Sequence, residues 1–449
     1  MIDSHCHLEM FKEEIPKILK NANDVGVNTI VTIGSDIESI NEAIKIAEQH
    51  PMVYATVGIH PHDAKELNSD IIKKLFELSR HPKVVAIGEI GLDYYYKNSP
   101  KDVQREAFAL QLNLACELGL PVVIHSREAF EDTISILKEH NISKGVMHCF
   151  SGNVSQAKKV IDLGFFISIS GVVTFKNAKN IKEVARFVPD DYLMIETDAP
   201  YLSPEPMRGK RNEPAFLIYT AKALAELRGI TFEDVDRITT LNTKRLFHIG
   251  DLPKGEFVYK IRDTLYLNIT NRCTNICKFC IRFHTDYVKG HNLRLEREPS
   301  AEELIKAIED PKKYKEIVFC GYGEPFLRVD LIKEVAKWIK EHGGKVRVNT
   351  NGHGNIIHGR KILPELAGLI DSVSISLNAH DSETYNKICN PVLPNAYEEV
   401  IEFIKDAKKY IPQVQITVVN LKEVDIKKCE DIANSLGVKF RIRHLNEVG

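Results

Sequence analysis

Short apolar runs alternate with amphipathic stretches along the whole chain. The first series is MID (1–3), TIVTIG (29–34), VYATVGI (53–59), VVAIGEIG (84–91), PVVIH (121–125), GVMHC (145–149), FFISIS (165–170) and YLMIE (192–196). Helix-prone segments such as SINEAIKIAEQ and VQREAFALQLNLACELG separate these runs, and the last helices of the series reach about Phe247. Eight strands alternating with helices predict an α/β fold, a (β/α)8 TIM-type barrel over residues 1–250. The stretch HIGDLPKGEFVYKIRDT (248–264) carries Gly, Pro and charge without periodicity, which places a linker at 251–262. A second series follows: LYLNIT (265–270), EIVFCG (316–321), KVRVNT (345–350), SVSISL (372–377), VQITVV (414–419) and KFRIRH (439–444). Six strands are too few for a second full barrel, so residues 263–449 are expected to form a partial (β/α)6 barrel. Within it, Ser300 and Glu303 stand in a capping-box pattern at the head of a helix.

Charge and cysteine content narrow the function classes. The formal net charge is -2, so no global basic field exists. A nucleic-acid partner would be held by a local patch or by metal ions. Nine cysteines, an odd number with three crowded between Cys273 and Cys280, do not resemble a disulfide framework. Reduced thiols and a cytoplasmic location are the simpler expectation. The beginning MIDSHCHLEM lacks the basic and apolar regions of a secretory signal, and no run of about 18 apolar residues predicts a membrane span.

Polar side chains cluster where the predicted strands of the first barrel end, which is where such barrels keep their chemistry. Strand 1 ends in His5-Cys6-His7, and an HxH pair on an extended segment turns both imidazoles to one side, with Cys6 facing the other. Glu89 and Asp93 close strand 4, His125 and Arg127 strand 5, His148 strand 6, and Glu196-Thr197-Asp198 strand 8. Imidazoles and carboxylates converging from five strands predict a divalent-metal site. Two ions about 4 Å apart need a shared carboxylate, and Glu89 is the candidate bridge. His5, His7, Glu89 and Asp198 are assigned to one ion, and Glu89, His125 and His148 to the other. The ions, Mg, Mn or Zn, would neutralise a phosphate and activate water, with Glu89 and Asp198 as the catalytic carboxylates and Asp198 placed to accept the water proton. Cys116 and Cys149 read as small core residues.

The motifs MIDSHCHL, VGIHPHDA, AIGEIGLDYYY, VIHSRE, MHCFSG, ETDAPYLSP, RGKRNEP and LNTKRLF resemble, in that order, the TatD family of metal-dependent deoxyribonucleases over about residues 1–250. The resemblance implies hydrolysis of DNA phosphodiesters, often as a 3′–5′ exonuclease, with His60, His62 and Arg127 holding substrate phosphate. GIHPH also suits a turn whose histidines cap backbone groups. The basic loop Met207–Asn212 is either solvated or, through Arg208, a phosphate contact. Tyr94, Tyr95 and Tyr96 suit either base stacking or an apolar wall at the barrel mouth. Two rivals remain at this point. The same metals could hydrolyse an ester or amide on a small molecule or tRNA, or the barrel could deliver nucleic acid to the second half without cutting it.

In the second half, LYLNIT runs into Cys273, Cys277 and Cys280, a CxxxCxxC spacing. Three thiolates can hold three irons of a [4Fe–4S] cluster and leave the fourth open. A zinc site with His284 as fourth ligand is the alternative on spacing alone. With an aromatic residue, Phe279, before the last cysteine, the motif resembles the radical SAM superfamily over about residues 258–449. Cys320-Gly321-Tyr322-Gly323-Glu324-Pro325 is similar to that superfamily's GGEP segment, which implies S-adenosylmethionine (SAM) contacts at Gly321, Gly323 and Glu324. Asn351, Ser376 and Asn378, at later strand ends, are further SAM candidates. The resemblance implies one-electron cleavage of SAM, a radical that abstracts hydrogen from a substrate, and an electron donor such as flavodoxin or ferredoxin. Cys320, Cys389 and Cys429 are scattered and predict no second cluster. The reading is a bifunctional enzyme with DNA or another nucleic acid as the substrate class of its first half.

Overall fold

A computed structural model describes residues 1–444. The chain divides into two compact units, Met1–Leu252 and Pro253 onward.

Unit 1 holds eight strands: β1 (Ile2–Cys6), β2 (Thr29–Ile33), β3 (Val53–Val57), β4 (Val84–Asp93), β5 (Val122–Arg127), β6 (Gly145–Met147), β7 (Phe166–Ile169) and β8 (Leu193–Ile195). Each pairs in parallel with the next. The ring closes between β8 and β1 through a bridge from Cys6 to Ala199 and a hydrogen bond from Ser4 Oγ to the Ile195 carbonyl, 2.9 Å. Helices cover the outside. Their apolar stripes, for example Ile40, Ala43, Ile44 and Ala47 of the helix Ile37–Gln49, are buried against the strands. That helix begins where the Asp36 side chain accepts from Glu38 N and Ser39 N, both 2.9 Å, satisfying two donors the first turn leaves unpaired.

One glycine sets the path of β4. Its register against β5 shifts between Ile87 and Ile90, and Gly91 adopts φ 139°. A Cβ there would stand 2.0 Å from the His125 carbonyl oxygen, so only glycine lets β4 pass this close to β5. The shift aims Glu89 and Asp93 into the barrel mouth.

Unit 2 has a seven-stranded mixed sheet. Its first strand, β9 (Val258–Ile261), runs antiparallel to β10 (Thr264–Asn268). A small hairpin of β11 (Tyr287–Val288) and β12 (His291–Asn292) follows. The remaining strands are β13 (Glu316–Cys320), β14 (Val346–Thr350), β15 (Ser372–Ser376), β16 (Gln413–Val419) and β17 (Lys439–Arg443), in spatial order β17-β16-β15-β14-β13-β10-β9. The six parallel strands are the six read from the sequence. β9 corrects the linker reading of 251–262: Val258-Tyr259-Lys260-Ile261 alternates enough to bury Tyr259 and Ile261, and Arg262, at φ 56°, turns the chain back into β10. The Ser300 capping box forms as expected, with Glu303 N to Ser300 Oγ at 3.2 Å and Ser300 N to Glu303 Oε2 at 2.9 Å.

Candidate functional site

The mouth of unit 1 is a cavity of about 1320 Å³ lined by His7, His60, His62, Glu89, Asp93, His125, Arg127, His148 and Asp198 among others. At its floor Glu89 is buried and ringed by imidazoles. Its Oε1 is 2.8 Å from His125 Nδ1, 2.8 Å from His148 Nε2 and 3.5 Å from His60 Nε2. Its Oε2 is 3.4 Å from His5 Nε2 and 3.9 Å from His7 Nε2. Asp198 lies across from it, 3.8 Å from His5 Nε2 and 3.7 Å from His7 Nε2. His5 and His148 stack with ring centroids 3.9 Å apart.

Three trios have donor atoms close enough to share one ion: His5–His148–Asp198, His5–His7–Glu89, and His60–Glu89–His125. The six ligand residues read from the sequence therefore meet at one point, in a grouping that differs from the expected one. His148 also stands beside His5 and Asp198, and His60 joins Glu89 and His125. His60 serves two ends at once, because its Nδ1 accepts from His62 N at 3.2 Å while its Nε2 faces Glu89.

The donor set fits divalent cations. Both ring nitrogens of His5 are buried with no hydrogen-bond partner, as is Glu196 Oε2, and His148 Nδ1 is buried with only the Glu196 carboxylate, 3.3 Å away, beside it. Buried polar atoms left this way are costly unless something pairs with them. Electrostatics points the same way. Burial would raise the Glu89 carboxyl, but His148, His60 and His125 outweigh it and hold the group well below the usual carboxylate range. Burial pushes the Asp198 carboxyl up to about 6, and pushes His5 and His60 each down to about 4. Burial opposes protonation of His7, His125 and His148 too, but the carboxylates around them shift those three imidazoles up, so a cation binding here would take the place of their protons beside an ionised Glu89.

A second ring of carboxylates went unassigned in the sequence. Glu196 Oε1 is 3.3 Å from His148 Nδ1 and accepts from Cys149 N at 2.7 Å. Glu9 Oε1 is 3.5 Å from His7 Nδ1. Asp93 Oδ2 reaches His62 Nε2 and His125 Nε2, both at 3.1 Å. Such partners fix the tautomer and aim of a ligating imidazole. The signal available was position: Glu196 and Asp93 close strands whose other terminal residues had already been singled out.

Arg127 and His62 line the cavity, and the Arg127 guanidinium lies 4.3 Å over the Tyr95 ring and 4.8 Å over the Tyr96 ring. Both tyrosines are exposed, 52% and 54%. Tyr94 is instead buried, its hydroxyl donating to Asp132 at 2.7 Å, so it belongs to the barrel wall. Arg208 does not line the cavity. Its guanidinium lies 3.9 Å over the Phe175 ring. Cys116 is exposed, correcting its reading as core.

In unit 2 Cys273, Cys277 and Cys280 share one loop after β10. Cys273 Sγ receives Asn275 N at 3.4 Å and Asn351 Nδ2 at 3.8 Å, and Cys280 Sγ receives Arg282 Nε at 3.4 Å. The Arg282 guanidinium lies within electrostatic reach of all three sulphurs. Donors on Cys273 and Cys280 and a cation near all three sulphurs suit iron ligation. Burial pushes the Cys273 thiol up to about 12, and the neighbouring Cys389 thiol, with burial, pushes Cys277 up, so iron binding would displace their protons. The loop is pinned from below: Thr274 Oγ1 meets His353 Nδ1 at 2.9 Å, His353 Nε2 meets Tyr385 Oη at 3.1 Å, and Ile276 N donates to the Cys389 carbonyl at 3.0 Å. Of the SAM candidates, Glu324 is buried and accepts from Thr350 Oγ1 and Asn351 N at 2.7 Å and from Phe326 N at 2.9 Å. Burial pushes its carboxyl up to about 7. Gly323 lets the strand end close on the cysteine loop, since a Cβ there would stand 1.9 Å from the Arg272 carbonyl oxygen. Gly321 sits beside it, 3.0 Å from the Thr270 carbonyl by the same measure. Asn351 Nδ2 donates to Thr274 Oγ1 at 2.8 Å. Ser376 ends β15, with Asn378 two residues beyond it, and β14 alone separates β15 from β13, whose end carries the glycine pair.

Two family models match the chain. The one described as TatD related DNase covers residues 2–248, more than half of the sequence. The chain belongs to the TatD-related DNase family. The other, the radical SAM superfamily, covers residues 267–436, so unit 2 is a radical SAM domain. Relatives match the TatD half almost end to end. The metal-dependent hydrolase YabD of Bacillus subtilis is 45% identical over 254 residues, 56% of this chain and all of that one. The protein named 3′-5′ ssDNA/RNA exonuclease TatD of Erwinia tasmaniensis is 37% identical over 247 residues, 53% of this chain and 95% of that one. The crystal structure of the TatD homologue YjjV of Escherichia coli K12 superposes with a TM-score of 0.54 at 30% identity, covering 56% of this chain and 98% of that one. Both halves are thus enzyme domains, and the TatD half is a metal-dependent hydrolase domain. No helix among the described residues is long and apolar enough to cross a membrane.

Proposed function

We propose that unit 1 hydrolyses phosphodiesters at the end of single-stranded nucleic acid with two divalent cations, and that unit 2 cleaves SAM reductively at a [4Fe–4S] cluster to start radical chemistry on a separate substrate. The observation that carries the first half is Glu89, a buried carboxylate beside imidazoles from β1, β5 and the β3 and β6 ends and across from Asp198. The two cations would supply Lewis acidity and a lowered water pKa. His5, His7, His60, His125, His148, Glu89 and Asp198 are the residues that would hold them.

The remaining residues have separate tasks. Asp198, with a carboxyl near neutrality, takes the proton from the attacking water. Asp93 fixes the rings of His125 and His62, and Arg127 and His62 grip the phosphate at the rim. Tyr95 and Tyr96 offer their faces to bases, which a duplex would keep stacked in its own core. The relative from Erwinia tasmaniensis, named for acting on both DNA and RNA strands from the 3′ end, supports the same substrate class.

In unit 2, Cys273, Cys277 and Cys280 would hold the cluster, and Gly321, Gly323, Glu324, Asn351, Ser376 and Asn378 surround the place for SAM. A one-electron donor of the flavodoxin or ferredoxin kind would feed it. Free cysteines and this cofactor support a cytoplasmic location.

The test uses manganese-loaded full-length protein and 5′-labelled single-stranded DNA. Stepwise shortening from the 3′ end is expected, with Glu89→Gln binding the strand but releasing no nucleotide. Release by Glu89→Gln at the wild-type rate would overturn the assignment.

A further inference from the structure

The loop that carries the three cysteines of unit 2 is paired with one distant segment. Asn275 bridges Pro391 in antiparallel sense, and Val392 N donates to the Thr274 carbonyl at 3.0 Å. The register continues along the loop. Ile276 N donates to the Cys389 carbonyl at 3.0 Å and to the Asn390 carbonyl at 3.2 Å, and Lys278 N donates to the Ile388 carbonyl at 2.9 Å. Ile388 and Cys389 close the helix Ser382–Cys389, so their carbonyls are among those a helix end leaves without internal partners. One turn earlier on that helix, the Tyr385 hydroxyl accepts from Asn275 Nδ2 at 3.0 Å, which ties loop and helix a second time.

Cys277 stands between the two donors and Cys389 among their acceptors, so the two residues face each other. Opposed residues in antiparallel pairing have Cα atoms about 4.5–5.5 Å apart. A disulfide spans Cα separations of about 4.4–6.8 Å. Cys389 is fully buried in the core of unit 2, and Cys277 is half-buried and packs against that core. The Cys389 thiol lies within hydrogen-bonding reach of the Cys277 thiol and acts on it more strongly than burial does. A buried cysteine is ordinarily a small apolar residue. Cys389 differs in facing a thiol that is also a cluster ligand.

We propose that Cys277 and Cys389 form an oxidative modification site: once the cluster is lost to peroxide they close a disulfide, which shelters Cys277 from irreversible oxidation until reduction lets the cluster be rebuilt. This rests on the reading of Cys273, Cys277 and Cys280 as the cluster ligands. The Cys277 thiolate, released from iron and open to solvent, attacks hydrogen peroxide. An S–O bond forms, the O–O bond breaks and hydroxide leaves, giving a sulfenic acid. The Cys389 thiol then attacks that sulphur. The S–S bond forms, the S–O bond breaks, and the sulfenic oxygen leaves as water with the Cys389 proton. The two sulphurs give up two electrons between them, and one peroxide is reduced. Without Cys389 the sulfenic acid goes on to sulfinic acid, which thiols do not reverse.

Anaerobically reconstituted full-length protein tests it. The protein is treated with hydrogen peroxide, alkylated and digested with trypsin, and its disulfides are mapped by mass spectrometry. Wild type should yield a linked pair of the peptides 273–278 and 388–405, with fragmentation placing the link at Cys277 and Cys389. Reduction should remove the link, and fresh iron and sulfide should then restore the iron–sulphur absorbance. Cys389→Ala should build the same cluster at first but regain about threefold less of it, or worse, after peroxide and reduction, with sulfinic acid at Cys277. Cys429→Ala, which removes an equally buried thiol, should recover as wild type does. Absence of the Cys277–Cys389 link in treated wild type, or recovery of Cys389→Ala equal to wild type, overturns the proposal. Should Cys389→Ala take up no cluster, the mapping of wild type decides alone. Wild-type protein that builds no cluster contradicts the cluster reading, while peroxide treatment of that cluster-free chain still tests the pair by the same mapping.

Discussion

Changing Glu196 to glutamine should weaken metal binding at the barrel mouth without unfolding it. Glu196 is fully buried and touches no substrate; its Oε1 accepts from Cys149 N at 2.7 Å and faces His148 Nδ1 at 3.3 Å. Glutamine keeps an acceptor for the backbone donor but removes the charge that aims and polarises His148. A hydrogen bond to a charged group contributes about 1.5–3 kcal/mol, against about 0.5–1.5 kcal/mol for a neutral one, so roughly 1–1.5 kcal/mol is lost. Loss of an outer carboxylate typically costs about 10–100-fold in metal affinity, or about 1.4–2.7 kcal/mol. The two ranges meet near tenfold. Free manganese measured by its EPR signal gives the affinity, and nucleotide release against manganese concentration gives the kinetic counterpart. The expected pattern is an activation curve shifted about tenfold to higher manganese, with saturating turnover within a few-fold of wild type. Glu196→Leu, which also strands the Cys149 N–H, should cost a further ~1–3 kcal/mol of stability. Wild-type manganese affinity in Glu196→Gln would refute the role given to the outer carboxylates.

Three further outcomes are expected. Gly91→Ala places a Cβ 2.0 Å from the His125 carbonyl at a φ of 139°, so chemical unfolding of unit 1 should show a loss of about 3 kcal/mol or more. Alanine at both Tyr95 and Tyr96 should raise KM for single strands about thirtyfold or more, from about 1–3 kcal/mol of stacking on each ring, while kcat holds. Glu324, with its carboxyl pushed up to about 7, keeps a proton in the folded state that the unfolded chain has released above about pH 4.5. Stability of unit 2 should therefore fall as pH rises from 4.5 to 7, by up to about 3 kcal/mol, and Glu324→Gln should lack that slope. The single tryptophan, Trp338, lies in unit 2 and reports its urea unfolding by fluorescence.

Much of this architecture is legible in the sequence because strand ends and chemistry coincide. The HxH of β1, Glu89, His125, His148 and Asp198 are spaced by whole βα units, and the ring geometry then brings them together without further information. What the sequence conceals depends on register and on competing contacts. The shift in β4 between Ile87 and Ile90 decides that Asp93 bonds both His62 and His125, and nothing in the string GEIGLDYYY reveals it. His148 reaches across to His5 because their rings stack, which altered the expected grouping. Arg208 follows the nearest aromatic ring and leaves the cavity. β9 hides in a Pro- and Gly-containing stretch because only four residues alternate, and its pairing partner β10 supplies the reason to be extended.

The central claim concerns paired cations about Glu89, and anomalous diffraction at the manganese edge from crystals of the full-length chain tests it most directly. Two peaks flanking the Glu89 carboxylate, within bonding distance of histidines and of Asp198, are the predicted result. No peak there, or a single one remote from Glu89, would contradict it.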